Sequence, residues 1–232
     1  FQELYRNQPA DFPSSVRPYV KRCFQPTRVD MLPTSMRQAM ITATTGRPGP
    51  VCVDVPYNVF QEQDNIEYAP SNRHSVASRP GVSPDDIRKI TDLLCSAERP
   101  FLYVGHGAAL SKAGAELNEL VEFLKIPVGS MPNGMGLIDA RHPLFVGHNG
   151  RNGAYQANQA GRHCDVLLAV GVHFDDRSSS SWLPGYSWNI PPTKLIHIDV
   201  DPEELGRTYP PEIGIVADSK TFLQQLLLEL KN

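Results

Sequence analysis

In the stretch "VLLAVGVHFDDRSSSSW", residues 166–182, His173, Asp175, Asp176 and Arg177 fall within five positions, and four serines follow. Imidazole, carboxylate and guanidinium this close together suit several kinds of chemistry. A metal site needs convergent ligands; His173 and Asp175 supply two, and the neighbouring sequence does not complete the set. A hydrolytic Ser/His/Asp unit has its residue types here, but the Gly-x-Ser-x-Gly elbow that aims such a serine is missing. The rim of a cofactor pocket fits the position: the apolar run Val166–Val170 reads as a strand stopped by Gly171, and α/β sheets bind ligands beyond the carboxyl ends of their strands. The plain alternative is a loop tied by an ion pair between Asp175 and Arg177.

The elements that must position these residues alternate regularly. Ser83-Pro84-Asp85-Asp86 has a capping serine, a proline in the first turn and acids at the positive end of the dipole, so a helix is expected over about 84–97. Then come a strand at 100–105, a helix over about 111–124 and a short strand at Pro127-Val128. A helix over 155–160 precedes strand 166–171, and "KLIHIDVD" makes a strand over 194–201. Ile213–Val216 is a last short strand before a helix over about 219–231, with Asp218 and Ser219 at its cap. Repeated βα units with apolar strands predict an α/β fold: a doubly wound, mostly parallel, six-stranded-type sheet. Nearer the N-terminus, Met36, Ala39, Met40 and Ala43 have helical spacing over 34–45, with Thr34 as cap after Pro33. A Gly/Pro turn, a strand over 51–55 and Pro56 follow, so this part reads as helix, tight turn and buried strand. The polar, irregular text from Gln61 to Pro84 reads as a linker.

Glycines and acids after the expected strands are the other site candidates. Gly105 and Gly107 allow backbone to approach a ligand, and the helix start behind them offers N–H groups to an anion. Asp199, at the end of a strand, is of the type that accepts hydrogen bonds from ribose hydroxyls. Asp201, ahead of Pro202-Glu203-Glu204, is expected to cap a helix.

Composition narrows the function classes. Apolar residues make up 41% and charged residues 20% of the 232 positions. The net charge of −3 argues against nucleic-acid or membrane-surface binding. No apolar run reaches the ~18 residues of a membrane span, and Phe1-Gln2-Glu3 does not begin a signal-peptide pattern. Cys23, Cys52, Cys95 and Cys164 lack metal-ligand or disulfide-framework spacing and read as small buried thiols of a reducing, cytoplasmic protein.

"TGRPGPVCVDVP", followed by "GVHFDDR" and "IHIDVDPEELGR", resembles the thiamine-diphosphate (ThDP) enzymes of the acetolactate synthase type. These have three α/β domains in order: pyrimidine-binding, central and diphosphate-binding. The resemblance implies that residues 1–62 are the C-terminal part of a pyrimidine-binding domain, 63–83 a linker and 84–232 a central domain. It implies a lyase or transferase in which ThDP and Mg²⁺ serve decarboxylation of a 2-keto acid and ligation to a second carbonyl. Phe1-Gln2-Glu3 matches a segment late in the family's first domain, downstream of its catalytic glutamate, and no Gly-Asp-Gly metal motif occurs. The piece is therefore expected to be inactive alone, with no catalytic and no metal-ligating residue of its own.

By the same match Phe1, Gln2 and Lys21 line a substrate channel. Gly105, Gly107, Ser130, Met131, Gly150, Asn152, Gly153, Gly171, His173, Asp175, Asp176, Arg177, Asp199 and Asp218 correspond to a nucleotide pocket that holds FAD, ADP or nothing in different relatives. Two departures stand out: "GRNG" at 150–153 where the family has Gly-Met-His-Gly, and His173 where FAD enzymes have arginine. An imidazole is no substitute for a permanently charged fork on phosphate. The resemblance further implies a homodimer or homotetramer when intact. A stand-alone nucleotide-binding or regulatory module of the same central fold is the competing expectation; an NAD-dependent deacylase is not supported, because its zinc cysteines are missing.

Overall fold

Runs of Val, Leu and Ile bounded by glycine and proline form the strands of a six-stranded sheet in the computed structural model, which describes residues 11–65 and 79–232. The chain divides into two units, Phe1–Ser78 and Arg79–Asn232.

In the first unit, the short helix α1 (Phe12–Val16) precedes strand β1 (Cys23–Phe24), helix α2 (Leu32–Thr44) and strand β2 (Cys52–Val53). The two strands pair in parallel. Helix α2 begins at Leu32 with Met31 as cap and Pro33 in its first turn, ahead of the expected Thr34 cap. Its Met36 and Met40 stay exposed.

In the second unit, Ser83 caps helix α3 (Pro84–Cys95) by accepting the Asp86 N–H at 3.2 Å. Strand β3 (Pro100–Val104) follows, then short helix α4 (His106–Leu110), α5 (Gly114–Leu124) and β4 (Val128–Ser130). The helix expected over about 111–124 is α5, which begins at Gly114, and the short helix α4 ahead of it was not expected. Strand β5 (Phe145–His148), unexpected from the sequence, leads to α6 (Tyr155–His163) and β6 (Val166–Val170). A long irregular segment then reaches β7 (Lys194–Asp199), β8 (Ile213–Val216) and α7 (Ser219–Leu230). The strand order is β5-β4-β3-β6-β7-β8, and every pairing is parallel.

This is the order of a dinucleotide-type doubly wound sheet. The chain winds outward from β3 through β4 to β5, then crosses back to β6 on the other side of β3. The loops after β3 and β6 therefore open at the switch point, where such sheets bind ligands. Residues 79–83, expected in the linker, belong to this packed unit. The Asp218 N–H donates to Pro80 O at 2.8 Å, and the Gln225 amide takes both backbone groups of Val82.

Alternation along β6 divides the core. Val166, Leu168 and Val170 face the helical side, where α3, α5 and α7 bring Ile90, Leu120, Phe222 and Leu226. Leu167 and Ala169 face the other side, covered by an aromatic group that includes Phe101, Tyr103, Phe174 and Trp188. Trp188 lies 4.6 Å, centroid to centroid, from Tyr103, and its Nε1–H donates to Ser178 O at 3.1 Å. A segment without helix or strand thus supplies much of the aromatic cover on this face.

The four cysteines are free, but only Cys164 is buried; Cys95 is exposed and Cys23 and Cys52 are half-buried. No helix among the described residues is long and apolar enough to cross a membrane.

Trp188→Ala is expected to cost about 3–5 kcal/mol, as for a fully buried large aromatic. Trp182→Ala, in the same segment but half exposed, should cost under about 2 kcal/mol. Urea denaturation of both variants checks this; equal losses would contradict the aromatic cover.

Candidate functional site

At the switch point the glycines touch one another. A Cβ on Gly105 would sit 2.0 Å from Gly171 O, and one on Gly107 would sit 2.8 Å from Gly171 Cα. Gly171 adopts φ +60°, and its own Cβ would meet Ala108 N at 2.5 Å. The Gly105 N–H donates to Val170 O, and the Gly107 N–H donates to Gly171 O, both at 3.1 Å. These two amides bind the β3 and β6 loops together, so within the helix start expected to face an anion the Gly107 N–H is already used.

The loop after β6 is built as a self-capped turn. The Asp175 carboxylate accepts the N–H groups of Arg177 (3.0 Å) and Ser178 (2.7 Å), an Asx turn rather than a bridge to the Arg177 guanidinium. Three successive non-glycine residues, Ser180, Ser181 and Trp182, have φ of 51°, 57° and 56°, in the left-handed region. Cross-links hold that turn: Trp182 Nε1–H donates to Phe174 O at 3.1 Å, and the Ser180 and Ser187 hydroxyls lie 2.7 Å apart. Asp176 and Arg177 are exposed.

The loop after β5 docks on this turn. The Arg151 N–H donates to Arg177 O at 2.9 Å, its guanidinium donates to Ser181 Oγ, and a Cβ on Gly150 would lie 2.3 Å from Arg177 O. Asn158 clamps Gly150 through both of its backbone groups at 2.9 Å. Gly153 closes the turn by donating to Gly150 O at 2.9 Å, and Asn152 is exposed. A surface cleft of about 340 Å³ opens beside it, lined by Gly153, Tyr155, Asn158, Gln159, Arg162 and Tyr186; of the expected pocket residues only Gly153 lines it.

His173 is drawn to the loop after β7. Its Nδ1 lies 2.6 Å from Glu204 Oε1, Arg207 Nε donates to Glu204 Oε2 at 2.9 Å, and Arg207 Nη2 sits 3.0 Å from His173 Nε2. The Glu204 side chain is 7% exposed. Glu204 and Arg207 were missed in the sequence, where Asp201 to Glu204 reads as a helix start; the structure has turns there, not a helix. Asp201 still serves its own turn, accepting the Glu203 N–H at 3.1 Å, and Asp199 Oδ1 accepts the Asp201 N–H at 2.9 Å. Asp218 caps α7 by accepting the Thr221 N–H at 3.0 Å.

Of the residues expected on the flavin side, Met131 packs into the aromatic core, and Ser130 Oγ is buried without a hydrogen-bond partner. Phe1 and Gln2 lie outside the described residues. Lys21 spends its ammonium on Thr42 O, Thr45 O and Arg47 O at 2.7–2.9 Å, closing the C-terminus of α2. Among the described residues no three His, Cys, Asp or Glu side chains are grouped to hold a metal ion.

The sheet is that of a doubly wound α/β domain. Residues 87–226 match the family model for the thiamine pyrophosphate enzyme, central domain, and the chain belongs to that family. It is similar to the probable acetolactate synthase large subunit of Methanocaldococcus jannaschii, 38% identical over 219 residues, which cover 92% of this chain and 36% of the relative. It is also similar to the acetolactate synthase large subunit of Cyanidium caldarium (36% identical, 92% and 37% covered) and to the acetolactate synthase isozyme 3 large subunit of Escherichia coli (33%, 95% and 38%). The chain spans just over a third of the length of these relatives.

The glycine contact has a measurable cost of disruption. Gly171→Ala should destabilise by about 2–5 kcal/mol, from the left-handed backbone plus a clash with Ala108 N. Gly185→Ala, at φ +70° with open space around it, should cost about 1–2 kcal/mol. Urea midpoints compare them, and equal shifts would contradict the close contact.

His197, buried on β7, sets an acid dependence. Its ring Nε2 meets Val172 O at 2.9 Å. Burial holds its pKa below the ordinary 6.5, with Glu204 and His173 in its field. The unfolded imidazole takes up a proton where the folded one does not, so this contribution is complete above pH 6.5 and is lost as pH falls below it. Denaturation midpoints should drop on acidification through that range, and His197→Gln should flatten the slope; an unchanged slope would contradict this.

Proposed function

We propose that this chain is part of a ThDP-dependent enzyme that decarboxylates a 2-keto acid and joins the fragment to a second carbonyl, as the names of its relatives suggest. The match of residues 87–226 to the central-domain family carries this reading. Residues 84–232, with 79–83 packed on them, serve as the central domain, 1–62 as the end of a pyrimidine-binding domain and 63–78 as the connection between them. The working protein is a cytoplasmic homo-oligomer.

The residues of this chain do not fit the ThDP–Mg²⁺ anchor: the sequence lacks a Gly-Asp-Gly segment, and Asp175 and Asp218 are spent in a turn and a cap. No chemical step is therefore assigned to these side chains. What the central domain contributes is a rigid body, a sheet buried on both faces, on which catalytic domains are mounted.

The test compares the protein at its full natural length with the 232-residue chain alone, each given pyruvate, ThDP and Mg²⁺. The longer protein should release CO₂ and form a carboligation product, and the shorter should do neither. Turnover by the 232-residue chain would overturn the reading, as would a full-length protein inert towards every 2-keto acid.

A further inference from the structure

A flavin dinucleotide entering the switch-point crevice needs donors for its two phosphates and an acid for a ribose. The Gly105 and Gly107 amides, at the end of β3, already donate to Val170 O and Gly171 O. Asp199 already accepts the Asp201 N–H, Asp218 is occupied as a helix cap, and Asp175 as a turn cap. What remains is the cationic side of the crevice, and it holds an anion of the protein's own. Glu204, nearly buried, lies between His173 Nδ1 at 2.6 Å and Arg207 Nε at 2.9 Å.

We infer that this domain closes its own nucleotide crevice: the Glu204 carboxylate takes, between His173 and Arg207, the place of a ligand phosphate, and the protein carries no FAD. The geometry makes the exchange unfavourable in both directions. A phosphate brought to His173 and Arg207 is repelled by Glu204, and moving Glu204 aside strips a buried carboxylate of these partners. His173 adds to the effect. An arginine there would give a second fixed fork and leave positive charge to spare beside one glutamate; an imidazole gives at most one shared proton. The exposed Arg177 and the Ser181-bound Arg151 stay outside this cluster, with Asp176 next to Arg177 in the chain.

The inference is independent of the keto-acid reading, since it concerns what the crevice binds and not what the protein turns over. The experiment uses the full-length protein, purified without added nucleotide. Its absorption spectrum should show no flavin band, acid denaturation should release no stoichiometric FAD or ADP, and calorimetric titration with each should give no saturable binding. Glu204→Gln keeps the side-chain size and removes the charge; it should give saturable ADP binding at least about tenfold tighter than the detection limit set by the wild-type titration. Should that variant not fold, His173→Arg adds a fixed cation to the same carboxylate and should also bring ADP binding into range. Stoichiometric FAD or ADP in the wild-type protein overturns the inference. So does a folded Glu204→Gln protein that binds ADP no better than wild type.

Discussion

Three glycines in contact across the β3 and β6 loops govern the course of the chain over one face of this domain. Parallel pairing of β3 with β6 brings Gly105, Gly107 and Gly171 so near that a single Cβ among them would overlap backbone atoms. With that contact made, the chain leaving Gly171 must travel out over the aromatic face of the sheet. There Phe174 and Trp188 cover Tyr103, and the turn at 175–182 receives the loop from β5. The glycine contact is thus what orients the segment bearing His173 and Arg177.

Much of this architecture was legible in the sequence, and for identifiable reasons. The Ser83 cap, the apolar strands and the Asp218 cap are local signals, each set by neighbours within three or four positions. Strand β5 escaped because "FVGH" is short and half-buried throughout, so it shows neither alternation nor a continuous buried run. The helix expected at Asp201 failed for a different reason. Pro202 and two glutamates imitate a helix start, but Gly206 at φ +79° and the paired prolines Pro210 and Pro211 stop the turns before a helix can propagate.

The candidate site was legible in its residues and not in their partners. His173 and Glu204 stand 31 positions apart, and no periodicity joins them; only the parallel neighbours β6 and β7 put their loops side by side. Glycines and acids stand at the expected strand ends, yet Gly105, Gly107, Gly171, Asp175 and Asp218 all serve contacts within this chain. Position in the sheet and the local caps of Asp175 and Asp218 rest on near neighbours, while the partners of the glycine amides and of His173 depended on tertiary geometry. The departures at 150–153 and at 173 were the sequence-level sign of this difference, since Arg151 and His173 both bind groups within the protein.

Native-state hydrogen exchange at the Gly105 and Gly107 amides, with and without FAD, decides whether these amides serve loop–loop contact or a ligand. Loop–loop contact requires slow exchange at both amides in the protein alone, unchanged when FAD is added. Fast exchange that becomes slow on adding FAD would contradict it.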